Sequence, residues 1–112
     1  METDLSVFVE PALLILISLA DRPKHGYSIM QDVQEMTGWA MRPGTLYGAL
    51  GRMGRVGWIE ETKSEDYRRR PYALTSDGQA ELARQLAILN TLAQTGLKRS
   101  KKLSKTRRIL SQ

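Results

Sequence analysis

The sequence predicts a mainly α chain with a two-stranded β wing, which is a winged helix-turn-helix plus a C-terminal helix. Three observations lead there. Apolar residues recur at helical spacing in four separate stretches, Pro and Gly punctuate the joins between them, and the period changes to that of a hairpin once, after Gly57. The 112 residues suffice for one modest core and not for two.

Residues 1–6 form a polar lead, and the first helix is expected over Val7 to Ala20, with Phe8, Leu13, Leu14, Leu16, Ile17 and Ala20 spaced for a broadly apolar helix. Pro11 suits its first turn. Pro23 breaks that pattern, and a second helix is expected from His25 to Thr37 with Ile29, Met30, Val33 and Met36 inward and Gly38 as its stop. His25, the single histidine, reads as a packing or capping residue. A short connector, Trp39 to Arg42, leads to Pro43, which opens the third helix where a missing N–H costs least.

That third helix carries the functional reading. Leu46, Leu50, Met53 and Val56 form one stripe, while Thr45, Gly48, Arg52 and Arg55 fall opposite. The outward set offers two guanidinium groups, a hydroxyl and a bare backbone, chemistry suited to a groove lined by phosphates and base edges. An ordinary solvated helix face remains the alternative.

After Gly57, residues Trp58 to Thr62 read as a strand, Lys63 to Asp66 as a polar turn, and Arg69 to Leu74 as the returning strand. Two strands alone are marginal, so the hairpin must lean on the helices through Ile59, Tyr72 and Leu74, with Pro71 at an edge. From Ser76 a long helix follows, with Leu82, Leu86, Leu89, Ala93 and Leu97 in one stripe. The stripe either closes the domain's own core or forms a homodimer seam; the width of apolar surface, extended by Ala80, Ala83, Ala87 and Leu92, favours the seam.

Charge is segregated. The net +5 arises because residues 98–108 carry seven basic side chains and no acid, whereas residues 1–97 carry 10 basic and 12 acidic ones. DNA binding must therefore be argued from local placement and not from the global balance. The tail, 98–112, is read as a solvated end, as an arm adding phosphate affinity, or as an amphipathic extension touching an anionic membrane through Leu103, Ile109 and Leu110. Cysteine is absent, which is compatible with the cytoplasm, and no apolar run is long enough for a membrane span. One histidine, no cysteine and no glycine-rich phosphate loop leave no catalytic or metal centre to assign, and no cofactor is expected.

The segments His25-Gly26-Tyr27, Pro43-Gly44-Thr45-Leu46-Tyr47 with Leu50, Gly57-Trp58-Ile59-Glu60, and Tyr72-Ala73-Leu74-Thr75 with Gly78 resemble, in order and spacing, the PadR family of bacterial transcriptional regulators. The resemblance covers about residues 10–80. It implies a winged helix-turn-helix over 1–76, a C-terminal dimerisation helix over 77–97, and a homodimeric repressor on a pseudo-palindromic operator. It places a recognition helix near Gly44, with Thr45 and Tyr47 close to DNA, and a wing carrying Lys63, Arg68, Arg69 and Arg70. Tyr27 would lie near the sugar-phosphate backbone, and Tyr47 is expected half-buried with its hydroxyl outward. Arg42 and Gly48 complete the DNA-facing set but depart from the family, which commonly has a small polar residue and a proline there. Control by a small-molecule ligand is also implied. The family's tryptophan platform on the C-terminal helix has no counterpart, because no aromatic residue follows Tyr72; Trp39 and Trp58 are expected to pack. The competing class is a winged-helix module that binds protein or RNA through the basic tail.

Overall fold

The computed structural model describes residues 9–63 and 70–111. The elements are α1 (Pro11–Leu19), α2 (Gly26–Thr37), α3 (Pro43–Arg55), β1 (Ile59–Glu61), β2 (Tyr72–Leu74) and α4 (Ser76–Leu110). Two units divide the chain between Leu82 and Ala83. Phe8, expected in the first helix, lies outside the described residues.

Within the first unit α1 is the central element. Leu13, Leu14, Ile15, Leu16 and Leu19 are all buried, so the helix is apolar nearly all round, and α2, α3 and β2 pack against it. Each such side chain withdrawn from water contributes about 1.5–3 kcal/mol before entropy. Pro11 occupies the first turn of α1 as its missing N–H requires.

His25 caps α2. The Ser28 amide donates to Nδ1 at 3.3 Å, which leaves the ring hydrogen on Nε2, facing the Ser28 hydroxyl at 3.1 Å. Ile29 and Val33 are buried and Met30 partly so, but Met36, expected inward, is exposed near the helix end. Gly38 closes α2 in the left-handed conformation, φ 77°. Met41 is buried in the connector and pins it to the core, beside the half-buried Trp39.

The end of α3 is a Schellman turn. Gly57, at φ 81°, donates to the Gly54 carbonyl at 3.1 Å, and Trp58 donates to the Met53 carbonyl at 3.0 Å. Val56, expected in the buried stripe, is 58% exposed because the helix has already ended there. The turn delivers the chain into β1, which pairs antiparallel with β2 in the register Ile59↔Leu74, Glu60↔Ala73, Glu61↔Tyr72. Both strands are shorter than the sequence suggests, since Trp58, Thr62, Arg70 and Pro71 fall outside the ladder, and Arg69 lies outside the described residues.

The hairpin is not left as two strands. Lys24 exchanges both backbone hydrogen bonds with Tyr72, at 3.0 and 2.8 Å, so β2 is paired on both sides at that point. The Lys24 side chain, only 4% exposed in a residue type that seldom buries, turns back into the helices. Its ammonium donates to the Ser18 carbonyl at the end of α1 and to the Asp21 carboxylate, with Asp32 of α2 at 3.8 Å. Asp32 also accepts from the Ser18 hydroxyl at 2.7 Å. The cation thus sits against the negative end of α1, and its hydrogen bond holds the Asp21 carboxyl below its ordinary value of 3.8.

At the start of α4, the Gly78 amide donates to the Thr75 hydroxyl, which in turn donates to the Gly57 carbonyl. A Cβ at Gly78 would fall 2.0 Å from the Trp58 carbonyl oxygen, so only glycine lets the two backbones meet. Leu82 follows at 8% exposure in the same core, which corrects its expected place in a dimer seam: its apolar surface is consumed by its own protomer. In the second unit α4 continues helically through the basic segment to Leu110, beyond the boundary expected at residue 97. Lys and Arg are good helix formers, and charge alone does not end a helix.

Lys24→Met should destabilise the fold by roughly 1–3 kcal/mol in urea titrations, because it removes the ammonium that satisfies Ser18 and the carboxylates while keeping the apolar stem. Since Asp21's folded value is depressed, its contribution is complete above about pH 4 and is lost as pH falls through that lowered value, so the variant should show a flatter acid limb. Gly78→Ala should cost about 1–3 kcal/mol by the same measurement, reversing the usual gain of alanine over glycine in a helix.

Candidate nucleic-acid interface

One face of α3 is fixed by burial and the other is thereby displayed. Leu46, Ala49, Leu50 and Met53 lie in the core, and the opposite surface presents Gly44, Gly48, Gly51, Arg52, Gly54 and Arg55. Arg52 and Arg55 are exposed, each with its guanidinium lying back toward the glycine one turn earlier, Gly48 and Gly51. Thr45 is half-buried in the first turn. Arg42 occupies the N-cap position, exposed and without a side-chain cap, so the first-turn amides face outward at the positive end of the helix.

Tyr47 is 53% exposed. The ring lies over the start of α2, where a Cβ on Gly26 would come within 2.6 Å of the hydroxyl oxygen. Glycine at 26 makes room for the ring tip, and the side chain reaches from α3 to α2. Tyr27 stands next to this contact in sequence and is 62% exposed.

A cleft of about 390 Å³ separates α3 from the hairpin. Tyr47, Gly51, Gly54 and Arg55 form one wall, and Ile59, Glu60, Glu61 and Tyr72 the other. Gly51 and Gly54 leave the middle of that wall as bare backbone, which gives the glycine-rich composition of α3 a physical role. Burial, reinforced by the neighbouring Glu61 carboxylate, raises the Tyr72 phenol above its usual value and keeps it neutral. Glu61 lies 3.9 Å from Arg70. Lys63 is exposed beyond β1, whereas Arg68 and Arg69 lie outside the described residues. Sequence reasoning missed Tyr72 and Gly51 as lining residues; the signal was a glycine row facing an aromatic strand.

Residues 15–84 match the transcriptional regulator PadR-like family. The chain belongs to this PadR-like family. The family is one of transcriptional regulators. Among solved structures, a transcriptional regulator from Clostridium thermocellum superposes with a TM-score of 0.74 over 88% of this chain and 97% of that one, at 21% identity. A PadR family regulator from Clostridium difficile R20291 gives 0.67 over 75% and 91%, at 25% identity. In sequence the chain is 38% identical over 73 residues to an uncharacterized 37.1 kDa protein in transposon TN4556 of Streptomyces fradiae, of which it spans about a fifth (21%).

Against the PadR-like frame, Tyr27, Arg42, Gly44, Thr45, Tyr47, Gly48, Arg52 and Arg55 all belong to the first unit, on α2, on α3 or at the α3 N-cap. Leu86, Leu89, Ala93 and Leu97 of α4 are exposed in the second unit. Among the described residues no helix is long and apolar enough to cross a membrane, and no group of three potential ligands could hold a metal ion.

A Cβ at Gly54 would meet nothing within 4 Å. Gly54→Ala should therefore stabilise the protein by about 0.5–1 kcal/mol in a denaturant titration, the ordinary helix-interior gain.

Proposed function

We propose that the protein is a homodimeric, cytoplasmic repressor that reads a pseudo-palindromic operator through α3. The observation that carries this reading is the division of α3 into a buried face and an outward one bearing Arg52 and Arg55. Arg can bond guanine bidentately in the major groove. Thr45, Tyr47, Gly44 and Gly48 would line the same approach, with Arg42 and Tyr27 at its edge. Lys63, Arg70 and the arginines at 68 and 69 would set register on phosphates.

Leu86, Leu89, Ala93 and Leu97 are the proposed seam between protomers. They lie exposed on one helix, and Leu86 and Leu89 are followed by smaller Ala93, a pattern that lets two helices approach. A two-fold pair would engage half-sites about one DNA turn, roughly 34 Å, apart. Release by a small-molecule ligand belongs to this reading; the cleft beside α3, about 390 Å³, is of ligand size and opens next to Arg55.

Selection from random duplex oligonucleotides should return an inverted repeat, and Arg52→Ala or Arg55→Ala should weaken binding to it by about ten- to a hundredfold each, the worth of a bidentate base contact. Leu89→Asp should leave the protomer folded and shift sedimentation to monomer. Recovery of no motif, or equal loss on selected and scrambled DNA, would overturn base readout.

A further inference from the structure

Counted in sevens, the second unit of α4 has a regular register. Leu86, Ala93, Ser100 and Arg107 share one position and Leu89, Gly96, Leu103 and Leu110 share another, the two inward positions of a helical pair. In that register Lys98, Lys101, Lys102, Lys105 and Arg108 occupy every outward position between residues 98 and 108. All five are exposed. Lys101, Lys105 and Arg108 converge, with Ser104, on one shallow recess. From Leu82 to the end of the sequence there is no acidic residue to neutralise them.

Like charges three and four residues apart on one helix repel by a few tenths of a kcal/mol per pair. A helix that keeps five of them on one face gains when that face meets a dense line of negative charge. The stretch from Lys98 to Arg108 rises about 15 Å at 1.5 Å per residue, and duplex DNA presents a phosphate every 3.4 Å along each strand.

We propose that this outward face of α4 is a second, sequence-independent binding surface for the phosphate backbone of double-stranded DNA. The inference extends the DNA-binding reading from α3 to a separate element. A membrane surface fits less well, because a helix lying in lipid needs an apolar face beside its basic one, and here Leu103 and Leu110 lie on the inward side and Ile109 alone joins the basic face. Single-stranded nucleic acid fits less well because no aromatic residue follows Tyr72 to stack on bases.

The test uses the full chain and a scrambled duplex, with binding measured across salt concentrations. K101Q/K105Q removes two outward charges, and R99Q/R107Q removes two that lie off the outward face. The first should flatten the slope of log affinity against log salt by about 2, at about 0.9 per phosphate contact, and the second should leave it near the parent value. Equal slopes for both variants, an unchanged slope for K101Q/K105Q, or tighter binding to anionic vesicles or to RNA than to the duplex would overturn the proposal. Failure of the operator reading is distinguishable: it would appear as no selected motif while the scrambled duplex still depends on Lys101 and Lys105.

Discussion

The winged unit depends on one buried cation. Lys24 pairs its backbone with Tyr72 and sends its ammonium to Ser18, Asp21 and Asp32, so the same residue joins the sheet, the end of α1 and the flank of α2. A hairpin of three paired positions would be marginal alone. Tied to the helices at its second edge and anchored by Ile59 in the core, it becomes a fixed wall opposite α3.

That wall and the buried side of α3 together determine what the protein can present. The Schellman turn at Gly57 sets where the helix stops, and the meeting of Gly78 with the Trp58 carbonyl sets where α4 begins. The cleft lies between α3 and the hairpin, bordered by bare backbone at Gly51 and Gly54 and by the Tyr72 phenol. What this PadR-like chain displays therefore rests on backbone geometry as much as on side chains.

Much of this was legible in the sequence because the helices are strongly periodic and their ends carry Pro43, Gly38 and Gly57, residues with few structural alternatives. The role of His25 followed from its place at a helix start. Lys24 was not legible, because lysine is ordinarily exposed and its partner Tyr72 is distant in sequence. Leu82 was misjudged since periodicity gives a stripe without saying which molecule covers it. The contact of Tyr47 with α2 was not legible for a related reason: a helical wheel knows nothing of the space left by Gly26 on another helix. The run after Leu97 resembled a tail by charge, yet its residues favour the helix they continue.

The division of labour along α3 also bears on how such a protein can change over generations. Leu46, Ala49, Leu50 and Met53 hold the helix in place, while Gly48, Gly51, Arg52 and Arg55 contribute little to the core. Substitutions in the displayed set can accumulate without unfolding the domain, so its surface can be rewritten while its interior stays the same.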